Sequence, residues 1–415
     1  MKILISAVGD TDPIRNFHDG PLLHIVRVYR PEKIVLVHSE RSLTKHDKLV
    51  KALKSIKDYS PEIIQDGGVL QDAKVAIFDE MYDTVSSIVK KYISDDEIIL
   101  NISSATPQII SAMFAVNRIS DFNVTAVQVL TPQHKSNEGL RHDNQEDIDT
   151  LIETNLDNQS DYTIRTLEDT GMKFSLDLTK RNLKALIDNY DYQGALELLR
   201  ALKLPKKQES FSNIKELRKK LTEISDTIKI QGMPDKIVKS NLSNQAKSAL
   251  NSYLNIDRNH KQGNIAEVLI RVKSLVEFIL EDYLNNHFLD VITYKDGKPF
   301  LNTSKYPEIL KKFQEDPKMR GKKYHSGYLS LPTYIVILKY FEPKNDLLKH
   351  IYEIQKINQV RNQVAHSLQA FDRENLTKVS SAVFESKQIL LASFDIDNHW
   401  FSFYEDLNQE IKKLL

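Results

Sequence analysis

Cysteine is absent from all 415 residues, which excludes disulfides, thiolate metal sites and cysteine nucleophiles. No apolar run reaches the roughly 18 residues that a membrane helix needs, and the opening, Met1 to Val8, is too short and strand-like for a secretory signal. A cytoplasmic protein with no membrane association is expected. An excess of either charge is also lacking, because Lys plus Arg and Asp plus Glu each number 57. Any contact with nucleic acid must therefore come from local patches, not from a global basic field. There is no GxGxxG, no Walker A lysine motif and no HExxH helix. NAD binding, ATP hydrolysis and a His/Glu metal site are left without support, and no metal is assigned.

What is present points to more than one domain, since single cores stop growing near about 250 to 300 residues. Short β-branched runs at 2–8, 33–38, 97–102 and 124–130 read as buried parallel strands. Between them, 21–29, 42–57, 80–93 and 107–119 read as helices. Single helices between strands predict an α/β Rossmann-like sheet in an N-terminal domain, residues 1–170. From 171 to 415 the pattern is amphipathic and predicts an all-α helical region. Its clearest segments are 183–202, with Leu186, Ala195, Leu198 and Leu199 as core, and 265–283, with Val268, Leu269, Val272, Leu275, Val276 and Ile279 on one stripe.

In open α/β sheets ligands bind beyond the carboxyl ends of the strands. The loop after the first strand is Gly9-Asp10-Thr11-Asp12-Pro13. After the strand at 97 comes Asn101-Ile102-Ser103-Ser104-Ala105-Thr106-Pro107-Gln108, with Thr106 as N-cap and Pro107 at the first helical position. A helix start with free N–H groups and clustered hydroxyls suits a phosphate. On the motif alone, a phosphate seat and a plain helix cap are equal readings.

Near the C-terminus, Ile354, Ile357, Val360, Val364 and Leu368 follow helical spacing and predict a core-facing stripe. Asn362 and His366, four apart, share another side of that helix, with Arg361 between the two faces. A guanidinium, an amide and an imidazole suit RNA cleavage without a metal. The imidazole moves the proton of the attacking 2′-OH, and the guanidinium holds phosphate charge. The spacing is unspecific, for Arg then four residues then His also occurs at Arg41–His46 and Arg320–His325, and composition gives roughly one match by chance. On spacing alone an ordinary solvated helix face is the simpler reading.

Together and in this order, Ile3 to Gly9 with Thr11-Asp12-Pro13, the 101–108 loop, and Arg361-Asn362 with His366 resemble the CARF-HEPN ribonucleases of the Csm series that accompany type III-A CRISPR systems. The resemblance spans nearly the whole chain. It implies a CARF domain that senses cyclic oligoadenylate, of four or six adenylates, made by the CRISPR interference complex. It also implies a HEPN domain that then cuts single-stranded RNA, in a homodimer. It places Arg361, Asn362 and His366 in the nuclease site, and Gly9, Thr11, Asp12, Ser103, Ser104, Thr106 and Gln108 around the activator. It further admits cleavage of the activator within the CARF domain. Ala105 stands where relatives commonly carry Gly, and Asp10 where a neutral residue is common. Two other classes fit the composition: a nucleotide-sensing regulator whose helical half only binds partners, and a helical scaffold. Neither needs Arg361-Asn362 with His366.

Overall fold

The computed structural model describes residues 1–93, 97–119, 124–132, 146–201, 213–315, 328–357 and 373–415. They fall into two compact units, Met1–Leu176 and Asp177–Leu415.

The first unit holds a six-stranded sheet made of β1 (Lys2–Ala7), β2 (Lys33–Ser39), β3 (Glu62–Leu70), β4 (Glu97–Asn101), β5 (Val124–Val129) and β6 (Thr166–Glu168). In space the order is β3-β2-β1-β4-β5-β6, with every pair parallel except β5 and β6. The intervening helices are α1 (Pro21–Tyr29), α2 (His46–Lys54), α3 (Phe78–Tyr92) and α4 (Pro107–Ile119). Alternation along each central strand supplies two cores. Ile3, Ile5, Val35, Val37, Ile98 and Leu100 pack under α3 and α4. Leu4, Ile34, Leu36 and Ile99 pack on the other face, under α1 and α2. A fully buried Val, Leu or Ile contributes about 1.5 to 3 kcal/mol, so a one-residue slip that exchanged the faces would be strongly opposed.

The α/β expectation for this unit is met, with differences in detail. The sequence reading contained no strand at 62–70 or 166–168. β3 is an edge strand with Gly67 and Gly68 at φ 80° and 68°, a left-handed conformation that glycine adopts without a Cβ penalty. β6 has three residues and exists through its pairing with β5. The expected helix 42–57 is divided into Glu40–Leu43 and α2. Ser39 caps the first piece, receiving the Ser42 N–H at 3.3 Å while its own N–H bonds the Ser42 hydroxyl at 2.9 Å.

The second unit is helical. Its main helices are α5 (Tyr192–Ala201), α6 (Ile214–Lys229), α7 (Asn244–Lys261), α8 (Ile265–His287), α9 (Leu331–Phe341), α10 (Leu347–Gln355), α11 (Arg373–Ser393) and α12 (Phe403–Lys412). The stripe expected in α8 is buried along its length, from Val268 to Ile279, and continues to Leu280 and Leu284. The single helix expected at 183–202 is instead two, separated at 189–191, where Tyr190 takes φ 58°. Leu183, Ile187, Ala195, Leu196 and Leu199 are buried there, while Leu186 and Leu198 are only half-buried. The unit also carries a hairpin, Ile292–Lys295 with Lys298–Leu301. Asp296 and Gly297 turn it with φ 51° and 71°, as a two-residue turn between twisted strands requires. Among the described residues no helix is long and apolar enough to cross a membrane.

Candidate functional site

Strand order reverses beside β1, because the chain builds β2 and β3 on one side before crossing to β4 on the other. The loops leaving β1 and β4 run to helices on opposite faces of the sheet, which opens a crevice at the carboxyl ends of these strands. Gly9, Thr11 and Asp12 lie on the first loop; Ser103, Ser104 and Thr106 lie on the second, with Gln108 in the first turn of α4.

The two loops are built against each other. A Cβ at Gly9 would sit 3.1 Å from the Ala105 nitrogen and 3.3 Å from the Ser104 Cα, so bare backbone at position 9 permits the approach. Asn101, fully buried, donates to the Ser6 hydroxyl at 2.8 Å and accepts the Ser103 N–H at 2.9 Å. The Ser103 hydroxyl accepts the Val129 N–H at 2.7 Å, tying the second loop to the end of β5. Thr106 caps α4 through the Ile109 N–H at 3.5 Å and donates to the Val75 carbonyl at 3.0 Å. Ala105 between them has φ 129°, a strained conformation for any residue with a Cβ.

Asp12 is 2 % exposed and faces the protein. Its oxygens accept the N–H groups of Gly9 at 2.9 Å and of Leu22, in the first turn of α1, at 3.0 Å. Burial pushes its carboxyl up from the ordinary value against the pull of Gly9, the Ser104 hydroxyl, Leu22 and Lys45. Asp12 therefore shapes the loop and starts α1. Asp10 points outward, where Arg41 meets its carboxylate at 3.1 Å and the Lys45 ammonium bonds its carbonyl at 2.8 Å.

Thr11 and Ser103 line one cleft of about 180 Å³, together with Arg15, His18, Leu130 and Arg165. The Arg15 Nε is buried and has no hydrogen-bond partner among the described residues. The cleft thus combines hydroxyls with two guanidinium-bearing residues, which suits an anionic ligand. Arg15 and Arg165 were not found from sequence. Arg15 gave the weak signal of a cation three residues after Asp12; Arg165 gave none.

Arg165 belongs to a buried network beside the cleft. It bonds Asp157 at 2.8 Å, and Arg27 bonds Asp19 at 2.6 and 3.0 Å. With His24, the two carboxylates are close enough to ligate a cation, but two guanidinium groups already balance them. Burial acts to raise Asp157, yet hydrogen bonds from His24, the Asp19 N–H, His18 and Arg165 outweigh it and hold the carboxyl below the usual range. The arrangement is a structural clasp.

Of the three Arg-x4-His matches, Arg41–His46 is engaged structurally: Arg41 holds Asp10, and His46 Nδ1 lies 3.1 Å from His38 Nε2. Burial, with the neighbouring His46, pushes the His38 imidazole down to about 4. Arg320–His325 and the proposed set Arg361, Asn362 and His366 lie outside the described residues. Before that segment Ile354 and Ile357 are buried as their spacing predicted. His350 on α10 meets Glu385 on α11 at 2.5 Å, joining the helices that flank it in sequence.

Two family models match the chain, the Cas_Csm6 CARF domain over residues 62–166 and the Cas_Csm6 HEPN domain over 236–412. The chain is 41 % identical to the CRISPR system endoribonuclease Csm6 of Streptococcus thermophilus, covering all of both chains. It is 39 % identical to Csm6′ of the same organism, over 99 % of this chain and 98 % of that one. Among solved structures it resembles Enterococcus italicus Csm6 bound to cyclic hexa-2′-fluoro-hexa-dAMP, with a TM-score of 0.71, 31 % identity and full coverage of both chains.

Proposed function

Because the chain belongs to the Csm6 family of CRISPR system endoribonucleases, we propose that the crevice beyond β1 and β4 receives cyclic oligoadenylate and that this event controls RNA cleavage in the helical region. The chain is an endoribonuclease with a CARF domain and a HEPN domain. Residues 1–170 act as the sensor, and 171–415 contain the nuclease. The observation that carries the sensor reading is the cleft where Thr11 and Ser103 meet Arg15 and Arg165, with no hydrogen-bond partner for the Arg15 Nε among the described residues. A phosphodiester there would receive charge-assisted hydrogen bonds, while Gly9, Asp12, Ser104, Thr106 and Gln108 set the shape of the surrounding loops.

In the nuclease region, His366 transfers the proton of the ribose 2′-OH, Arg361 stabilises charge on the phosphate, and Asn362 orients one of them. The nucleophile belongs to the substrate, so no metal-bound water is needed. Products end in a 2′,3′-cyclic phosphate or its hydrolysis product. One Arg-Asn-His set is sparse, and a homodimer would bring two together across its axis and match the symmetry of a ring activator. The enzyme works in the cytoplasm on single-stranded RNA when a type III-A interference complex supplies the activator.

The test is cleavage of single-stranded RNA in EDTA with no activator, cyclic tetra-adenylate or cyclic hexa-adenylate. Strong stimulation by one ring, with cyclic-phosphate ends, is expected. Loss of activity in EDTA, 5′-phosphate ends or indifference to both rings would overturn the reading.

A further inference from the structure

The second unit contains a larger cavity, about 850 Å³ and open to solvent, where α6, α7 and the start of α8 come together. Arg258, on α7, lines it and is 9 % exposed. Among the described residues no carboxylate pairs with this guanidinium. It bonds the Asn255 side-chain oxygen at 3.3 Å, lies 5.7 Å from the centre of the Tyr404 ring, and keeps its Nε buried with no partner among those residues. Burial pushes its pKa below the ordinary value. A cation in this position is costly unless an anion joins it.

The surroundings favour that anion. Lys229 and Arg271 also line the cavity, and its single carboxylate, Glu267, is held by Arg271 at 2.5 Å. The start of the 23-residue α8 lies on the same wall, and its N-cap, Asn264, makes no side-chain capping bond. The Ile265 N–H is bonded to the Gly263 carbonyl at 2.9 Å, so it is at Ala266 and Glu267 that the first turn and the positive end of the helix dipole meet the cavity wall. Asn255 and Asn259 also line the wall, their amides donating to the Asn251 and Asn255 carbonyls at 3.0 and 2.8 Å.

We propose that this cavity is a binding site for a phosphate group, with Arg258 as its buried anchor and Lys229 and Arg271 at its rim. The volume exceeds a bare ion and fits a phosphate that carries a nucleoside. The source is either a diester of an RNA strand or a free nucleotide; both present the same chemistry to Arg258. The site stands apart from the ribonuclease reading, since it needs neither Arg361 nor the ligand loops of the first unit.

Full-length protein is titrated with inorganic phosphate at constant ionic strength, with chloride as control, and thermal unfolding is followed. Because the Thr11/Ser103 cleft of the first unit is also read as an anion site, the titration is repeated in an Arg15→Gln background; a saturable rise in Tm is expected in both, and in that background it should vanish when Arg258→Gln is added. If Arg258→Gln does not fold, the double variant Lys229→Gln/Arg271→Gln serves, with at least about tenfold weaker phosphate affinity expected from losing charge-assisted bonds. A second arm measures binding of a non-cleavable 2′-deoxy oligonucleotide. Weakening of that binding by the same substitutions identifies the strand as the source; unchanged binding with a lost phosphate response identifies a free nucleotide. No phosphate response in the native chain, or a response kept in the variants in the Arg15→Gln background, would overturn the proposal.

Discussion

Arg165 reaches Asp157 across a buried contact of 2.8 Å, beside the cleft that Thr11 and Ser103 line. Its second tie, to the Asp19 carbonyl at 3.0 Å, fastens the final strand of the sheet to the entry of α1. Arg165→Met should destabilise the first unit by about 3 to 5 kcal/mol, the usual cost of removing one partner from a buried ion pair. Asp157 is held below the ordinary range in the folded state. Its contribution is therefore present above the unfolded carboxylate pKa near 4 and is lost as pH falls through the folded value. Denaturant titrations at pH 7 and pH 3 check both statements; a loss under about 1 kcal/mol at pH 7 would count against the clasp.

Ala105 offers a test of loop strain. Relief of positive φ is worth about 1 to 3 kcal/mol, against about 0.8 kcal/mol for one partly buried methyl. Ala105→Gly should thus raise stability by about 0.2 to 2 kcal/mol, read as a higher Tm, without loss of activator binding. A lower Tm would mean that the loop does not hold φ 129°.

His38 should give the first unit a second pH limb. Its folded pKa of about 4 lies below the ordinary histidine value of 6.5, so the unfolded chain binds the proton first. Stability is full above about pH 6.5 and falls towards pH 4, with a slope of about one proton. His38→Gln should flatten that interval while leaving the carboxylate limb below it. Chemical denaturation at half-unit pH steps would reveal an unchanged slope if the assignment were mistaken.

Variants at the two proposed sites should separate sensing from chemistry. His366→Ala and Arg361→Ala should keep activator binding while turnover falls about 10²-fold or more. Thr106→Ala should mainly raise the activator concentration required, because it acts on an equilibrium that the nuclease reads. Initial rates on single-stranded RNA and direct activator binding are measured for each. A His366→Ala enzyme with a near-normal maximal rate would move the active site, with Arg320 and His325 examined next.

How far the sequence could be read depended on whether local chemistry or distant partners made each feature. α1 and α4 have the same ends in sequence and structure because Pro21 and Pro107 mark their first positions. β1, β2, β4 and β5 were legible as β-branched runs, the first three buried along most of their length and β5 at Ala126 and Val127. β3 was not, since its Asp66-Gly67-Gly68 stretch reads as a turn. The Asp296-Gly297 turn was readable, but the helical pattern around it dominated. At the candidate site the loops were found, while the direction of the Asp12 carboxylate was not. A lone Asp in a loop reads the same whether it faces a ligand or the N–H groups of Gly9 and Leu22. Arg165 was beyond reach because the Asp19 carbonyl that its guanidinium holds lies 146 positions away.

That distance has a consequence for how the chain is made. The Asp19 N–H is completed by a carboxylate 138 residues later, and β6 closes the sheet later still. At about 5 to 20 residues per second, Asp19 and α1 leave the ribosome on the order of ten seconds before their partners exist. During that interval Arg27 and Asp19 have each other, but His24 and the loop leading to α1 stand unfinished. A nascent chain stopped before residue 157 would carry most of the sheet yet lack its clasp, and would be the form most exposed to proteases and chaperones.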